Sequence, residues 1–384
     1  MFAFSKYQFS KYQGLGNDFL LIDGRSQEAV EQIGPDPEAE PFGWGAADIR
    51  RLCDRRFGIG ADGLILALPP RQGGELRMRI FNADGSEPEM CGNGIRCLAR
   101  FLADSDGDAP GRTWQVETLA GRMVPLLLDD GAIRVDMGPP FLEPAQVPTS
   151  LEPGPAGMPQ GELSAAGRRF TVAAAGMGNP HVVIPVEDVA AVELERFGPA
   201  LENHPAFPAR TNVHFVQRLA ADHLVMRVWE RGAGPTLACG TGACATLVAA
   251  HLLGLCDRQA RLDLPGGSLS IAWDGASGHV FMSGPAEGVF DAVINPALLG
   301  GDGESPAAAE RPGDSEGPAA AGAAIDCATA CIHGCLQPDD CPSAEARARV
   351  AALLASSSLD DLVGLANDSL EARTRARFEK EFPA

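Results

Sequence analysis

No run of apolar residues in this chain approaches the roughly eighteen needed to cross a bilayer, so no membrane-spanning helix and no membrane partner are expected. Basic charge is scarce: 31 Lys and Arg stand against 51 Asp and Glu, a formal charge of −20. So acidic a chain repels phosphate backbones, which excludes nucleic acid as an expected partner. The opening MFAFSKYQFSKYQ lacks the apolar core of a secretory signal. Ten cysteines without such a signal read as reduced thiols, some of them candidates for catalysis. What remains is ordinary for a soluble globular protein, with 45% hydrophobic and 21% charged residues. A length of 384 residues is enough for two domains with a core each.

Composition divides the chain. Up to about Asn295, strand-like alternation is punctuated by Gly and Pro turns. Residues 297–325 are rich in Ala, Gly, Pro and acid and poor in aromatics, so too little apolar surface is available to offset the entropy of ordering, and a disordered linker is expected. Residues 326–384 turn helical again, with Ser343 and Ser358 placed as caps.

Two stretches of the first region repeat a pattern. NADGSEPEMCGNGIRC runs from Asn82 to Cys97, and ERGAGPTLACGTGAC runs from Glu230 to Cys244. In each, a polar residue precedes by nine positions a cysteine followed by Gly, a polar residue and Gly. Upstream stand strand-like segments, LRMRIFN and HLVMRVWE; in the first, Met78 and Ile80 alternate with Arg77 and Arg79, predicting a half-buried strand. Downstream, Ile95, Leu98, Phe101 and Leu102, and later ATLVAAHLL, predict helices apolar on most faces and therefore buried. A unit of strand, glycine turn, cysteine and buried helix that occurs twice marks a pseudo-symmetric protein of two domains.

A thiol at a helix N-terminus faces unpaired N–H groups and the positive end of the macrodipole, which favours thiolate. Adjacent glycines let the backbone close on an anion such as a carboxylate. Two such turns across a cleft would set one sulfur on each face of an α-carbon. One sulfur then removes the α-proton and the other delivers a proton to the opposite face, with no cofactor required. A lone cysteine before a helix is more often small core filler, the reading that suits Cys97, Cys244, Cys53 and Cys256. The matched spacing is what separates Cys91 and Cys239 from these. A thiol–disulfide oxidoreductase would need a close Cys-x-x-Cys pair, which neither turn has.

Six motifs in order make the chain resemble the diaminopimelate epimerases over most of residues 6–295. They are KYQGLGNDFLLID, FGIGADGLI, IFNADGSEPEMCGNGIRC, GMGNPHVV, TNVHFV and WERGAGPTLACGTGACA. The resemblance implies an α/β (α+β) fold of two pseudo-symmetric domains, 1–140 and 141–296. Each would be a curved, mostly antiparallel sheet or barrel wrapped around a central helix. Their boundary is expected near residues 137–150, with the second domain taking back a terminal strand, and the site in the cleft between them. It further implies cofactor-independent interconversion of LL- and meso-diaminopimelate in lysine biosynthesis.

On the same resemblance Cys91 and Cys239 are the acid–base pair, and His181 and Glu230 tune the thiols. Gly92 with Asn93, and Gly240 with Thr241, would offer N–H groups to the reacting carboxylate. Asn17 joins the substrate set, while Asn82, Asn179, Asn212, Glu230 and Arg231 would hold the distal amino-acid end. Asp62 is read as structural. Gly63 stands where many relatives have Gln, so one distal contact is expected to be missing or supplied by water. No metal is expected in the site. Cys327, Cys331, Cys335 and Cys341 in the extension suit helix packing or an intra-tail disulfide better than zinc, whose ligands usually come as close couples from two segments. A homodimer is expected, in the cytoplasm, with plastid stroma as the alternative. The competing reading is proline racemase or hydroxyproline epimerase, which also oppose two cysteines; the Asn-rich distal set and GNPH stand against it. A binding protein that merely kept the pocket remains a third.

Overall fold

The structure, a computed structural model, describes residues 7–26, 41–295 and 298–299. These all belong to the first of two compact units, Met1–Ser305; the second, Pro306–Ala384, contains none of them. The expected helical extension, with Ser343, Ser358 and its four cysteines, lies outside the described residues, as does the linker apart from Leu298 and Leu299.

Among the described residues are two sheets and four α-helices: α1 (Ala46–Cys53), α2 (Gly92–Asp106), α3 (Leu194–Glu202) and α4 (Gly240–Leu252). The first sheet has seven strands. In spatial order they are Glu287–Val293, Gln8–Gly14, Asn17–Asp23, Gly63–Leu68, Leu76–Asn82, Val116–Thr118 and Gly121–Met123. The second has eleven. It runs Leu126–Leu127, Ile133–Asp136, Val280–Gly284, Gly267–Trp273, Gln259–Leu264, His223–Glu230, Asn212–Ala220, Pro180–Pro185, Arg168–Gly176 and Gln160–Ala165, with Gly234–Thr236 paired to His223–Glu230. The chain passes from one sheet to the other between Met123 and Leu126, and the last strand among the described residues, Glu287–Val293, returns to pair with Gln8–Gly14.

Most pairings are antiparallel and four are parallel, two in each sheet. A parallel pair cannot be joined by a tight turn; it needs a crossover, usually a helix. Each helix serves one such pair. Helix α1 links Asn17–Asp23 to Gly63–Leu68, and α2 links Leu76–Asn82 to Val116–Thr118. Helix α3 links Pro180–Pro185 to Asn212–Ala220, and α4 links His223–Glu230 to Gln259–Leu264. The two halves are therefore the same construction made twice, and the cysteine turn is the same corner in each.

Within each half one crossover helix lies on each face of the sheet. In the first, Ile65 and Ala67 pack with Leu98 and Leu102 of α2, while Leu64, Leu66 and Leu68 pack with Ile49 and Leu52 of α1. In the second, Val183 and Val216 pack with Leu247 and Val248 of α4, while Ile184 and Phe215 pack with Phe197 and Leu201 of α3. Helices α2 and α4 are buried along most of their length, as their apolar composition requires. Each large apolar side chain so covered contributes about 1.5–3 kcal/mol. Two-sided cover also changes one expectation. Leu76–Asn82 is not half-buried: Arg79 is buried as well, its guanidinium paired with Glu87 at 2.6 Å. Likewise Leu298 and Leu299, at the head of the stretch expected to be linker, pack against the α1 cluster, because two adjacent leucines supply apolar surface that the composition of the whole stretch concealed.

Candidate active site

Strand registers fix which residues correspond between the halves. Phe19 pairs with Gly63 and Gly63 with Asn82; His181 pairs with Asn212, and Val213 with Trp229. Asn82 thus matches Glu230, Gly63 matches Asn212, Ile65 matches His214, and Cys91 matches Cys239. Both cysteines are N-caps with extended backbone, φ −134° and −133°, opening directly onto α2 and α4. Both line one cleft of about 900 Å³, shared with Asn17, Asn82, Asn179 and Glu230.

The first turn is tied to the sheet by amides. Cys91 Sγ accepts from Gly94 N at 3.4 Å and donates to Asn17 Oδ1 at 3.9 Å. Asn17 Oδ1 also accepts from Asn93 Nδ2 at 3.2 Å, and Asn17 Nδ2 donates to Asp62 Oδ2 at 2.8 Å. Asp62 is held in turn by Arg55 at 2.7 Å. Asp62 therefore fixes the orientation of Asn17 from the cleft wall. Beside it, Gly63 leaves no room for a side chain, since a Cβ there would stand 2.4 Å from Phe81 O.

The second turn is built differently. Cys239 Sγ lies 3.7 Å from Thr241 Oγ1, with the Glu230 carboxyl beside it and Thr236 donating to that carboxyl. Behind it stand two fully buried histidines. Asn179 Oδ1 accepts from His181 Nε2 at 2.7 Å, which leaves His181 Nδ1 bare to accept from His214 Nε2 at 2.8 Å. His181, His214 and Cys239 bring ligand-type atoms within 4.8 Å of one another. Two nitrogens on one tetrahedral zinc stand about 3.3 Å apart, so the pair is spaced as a hydrogen bond rather than as a metal site.

Electrostatics correct one expectation. The N–H groups of Gly94 and Asn93 do favour a Cys91 thiolate, but burial outweighs them and the thiol is pushed up. Burial, then the Glu230 charge, push Cys239 well up too, and burial also raises Glu230. Helix-end dipoles act on a thiol within a turn's reach, whereas exclusion of water acts on the whole charge. Burial holds His181 well below its ordinary value, so the ring beside the second turn is neutral.

The diaminopimelate epimerase family model matches residues 9–142 and 173–289. The chain belongs to that family. Diaminopimelate epimerase of Prochlorococcus marinus (strain MIT 9313) is 60% identical over 292 residues, 76% of this chain and 93% of the relative. That of Nostoc punctiforme is 53% identical over 284 residues, 74% of this chain and 98% of its own length. Among solved structures, a probable proline racemase from Agrobacterium radiobacter K84 superposes with a TM-score of 0.52 at 17% identity, over 75% of this chain and 93% of its own. A predicted epimerase from Pseudomonas aeruginosa gives 0.53 at 16%, over 75% and 99%. At such identities the structures share the fold of two similar halves, as the six motifs implied.

Set against this family's expected residues, the cleft takes in Gly92, Asn93, Arg231, Gly240 and Thr241 along with those already placed. His181 and Asn212 lie behind its wall. The Asn212 amide donates to Pro180 O and accepts from Arg231 N at 2.9 Å, so it shapes the Arg231 loop. Two residues carry no assignment from the sequence, His214 and Arg96, while Asp62, read as structural, holds Asn17 and lines the cleft. Arg96 had a visible signal, a charged residue inside a helix expected to be apolar on most faces. His214 had none, since its neighbours are set by strand register.

Proposed function

We propose that the chain carries out its family's reaction, interconverting LL- and meso-diaminopimelate, with Cys91 and Cys239 as the paired acid and base. The observation that supports this is the equivalence of the two cysteines: each caps a buried crossover helix, and both face one cleft. With the α-carboxylate at the two helix N-termini, N–H groups on both sides would receive the charge that develops on it. One thiolate takes the α-hydrogen; the C–H electron pair passes into the carboxylate; the opposing S–H protonates the other face and becomes thiolate. No further reactant is needed. Asn82, Asn179, Glu230 and Arg231 would serve the distal carboxylate and ammonium, with Asn17 fixed beside Cys91. On this reading the protein works as a homodimer in the cytoplasm.

The test is incubation with LL-diaminopimelate in deuterated water, following α-deuteration and stereochemistry together. Inversion with one deuterium entering the product at the inverted centre is expected. Racemisation of free proline with diaminopimelate untouched would overturn the reading.

A further inference from the structure

Arg96 is fully buried near the start of α2, one turn beyond Cys91. Its guanidinium touches neutral acceptors: Nη1 donates to Asn93 Oδ1 at 3.0 Å and Gly92 O at 3.3 Å, with Met282 Sδ at 3.6 Å, and Nε donates to Pro285 O at 3.4 Å. Nη2 has no partner. Two glycines make room for it. A Cβ at Gly14 would stand 3.1 Å from Nη2 and one at Gly284 3.4 Å from Nε. Among the described residues the ionisable groups that act on it are thiols: Cys97 on α2, Cys91 at the N-cap of α2 and Cys244 on α4. A buried cation without an anion is destabilising, and an apolar residue of similar volume is usually the more stable choice. The fold nonetheless encloses one beside the first cysteine turn.

We propose that Arg96 supplies the fixed positive charge that offsets the single negative charge moved during epimerisation. The inference rests on the two-thiol reading. In that scheme the charge begins on one sulfur, passes to the α-carboxylate as the C–H bond breaks, and ends on the other sulfur as the new C–H bond forms. The total stays at one negative charge above the zwitterion. Arg96 lies under the turn that carries Cys91, and its Nη1 bonds Oδ1 of Asn93, a residue that lines the cleft. A low-dielectric setting makes such a charge effective at this range. Arg96 touches neither substrate nor reacting atoms, so it is a positioning residue whose field acts through the first turn. The field on Cys91 also contains Glu230, which opposes it.

The full chain is compared with Arg96→Gln, which keeps a donor to Asn93 without the charge, Arg96→Lys, which keeps the charge, and Arg96→Met. Three quantities are read: folding by circular dichroism, turnover of diaminopimelate, and the pH midpoint of Cys91 alkylation by iodoacetamide in a Cys239→Ala background. Gln and Met are expected to fold, to lose kcat about a hundredfold, and to move the Cys91 midpoint up by about one unit. Lys is expected to recover about tenfold of the lost kcat. The proposal is overturned if Gln keeps kcat within about threefold, if the midpoint stays in place, if Lys is no better than Gln, or if all three variants unfold. Full turnover in Cys91→Ala would instead bring down the two-thiol reading, a result distinguishable because the alkylation midpoint is measured without turnover.

Discussion

His181 and His214 are joined ring to ring, Nδ1 to Nε2 at 2.8 Å, and both are wholly buried behind Cys239. The corresponding places behind Cys91 are Phe19 and Ile65, both apolar. The two thiols thus rest on different floors, and the difference has a pH signature.

Burial holds His214 down to about 3 from an ordinary 6.5. Between those values the unfolded chain binds a proton that the folded chain refuses. The histidine's contribution to stability is therefore complete above pH 6.5 and is lost as pH falls towards 3. His214→Ile, which copies the first half, is expected to remove part of this slope, up to about 2 kcal/mol between pH 7 and pH 5. Urea unfolding of both proteins at the two pH values measures it; parallel losses would show that His214 does not carry the slope.

Replacing Cys91 or Cys239 by Ala should abolish inversion while leaving the fold intact, since each face of the α-carbon would have a single base. Ser should retain slow exchange on one face, because a hydroxyl donates a proton but is a poor base. Deuterium exchange at the α-carbon separates these outcomes; near-normal inversion by either Ala variant contradicts the pairing.

Two sulfurs that flank one carbon should come within disulfide reach when the cleft shuts, about 2 Å between sulfurs once bonded. Mild oxidant is expected to link Cys91 to Cys239 and stop turnover, and reductant to restore it. Peptide mapping of the inactive form decides the matter. Finding both thiols free there would refute the route.

Much of the site was legible because it is written twice in adjacent residues: nine positions from Asn82 to Cys91 and from Glu230 to Cys239, each ending at a glycine turn. The burial of α2 and α4 follows from their own apolar composition, without reference to any contact. What composition could not show is what the sheet order creates. Asp62 meets Asn17 because Gly63–Leu68 lies parallel to Asn17–Asp23, and His214 meets His181 because Asn212–Ala220 lies parallel to Pro180–Pro185. Such neighbours are far apart in sequence and share no pattern. The thiol electrostatics depart from the helix-end expectation for a related reason, since helix ends are visible in a sequence and exclusion of water is not.

A chain ending at Ser305 should keep turnover and diaminopimelate affinity within a few-fold, about 1 kcal/mol or less. All six motifs end before Asn295, and Leu298 and Leu299, which pack on the α1 cluster, are retained. Steady-state kinetics of the two lengths tests this; a folded but inactive short form would assign the remaining residues a part in catalysis.

The sharpest contrast between the halves lies at matched glycines. A Cβ at Gly94 would meet Ile80 Cδ1 at 2.8 Å and Ile65 Cδ1 at 3.2 Å, both ends of flexible side chains that can turn aside. A Cβ at Gly242 would meet His214 Cε1 at 2.2 Å and Nε2 at 2.8 Å, and Cys239 Sγ at 3.0 Å. That ring is rigid and is held by His181, so it cannot give way without breaking the pair or displacing the sulfur. Gly94→Ala is therefore expected to remain active within about tenfold, and Gly242→Ala to lose about 1–3 kcal/mol of stability and nearly all turnover. Thermal unfolding and kinetics of the two single variants make the comparison. Equal effects would mean that the imidazole pair is free to move, and that the second thiol is no more firmly seated than the first.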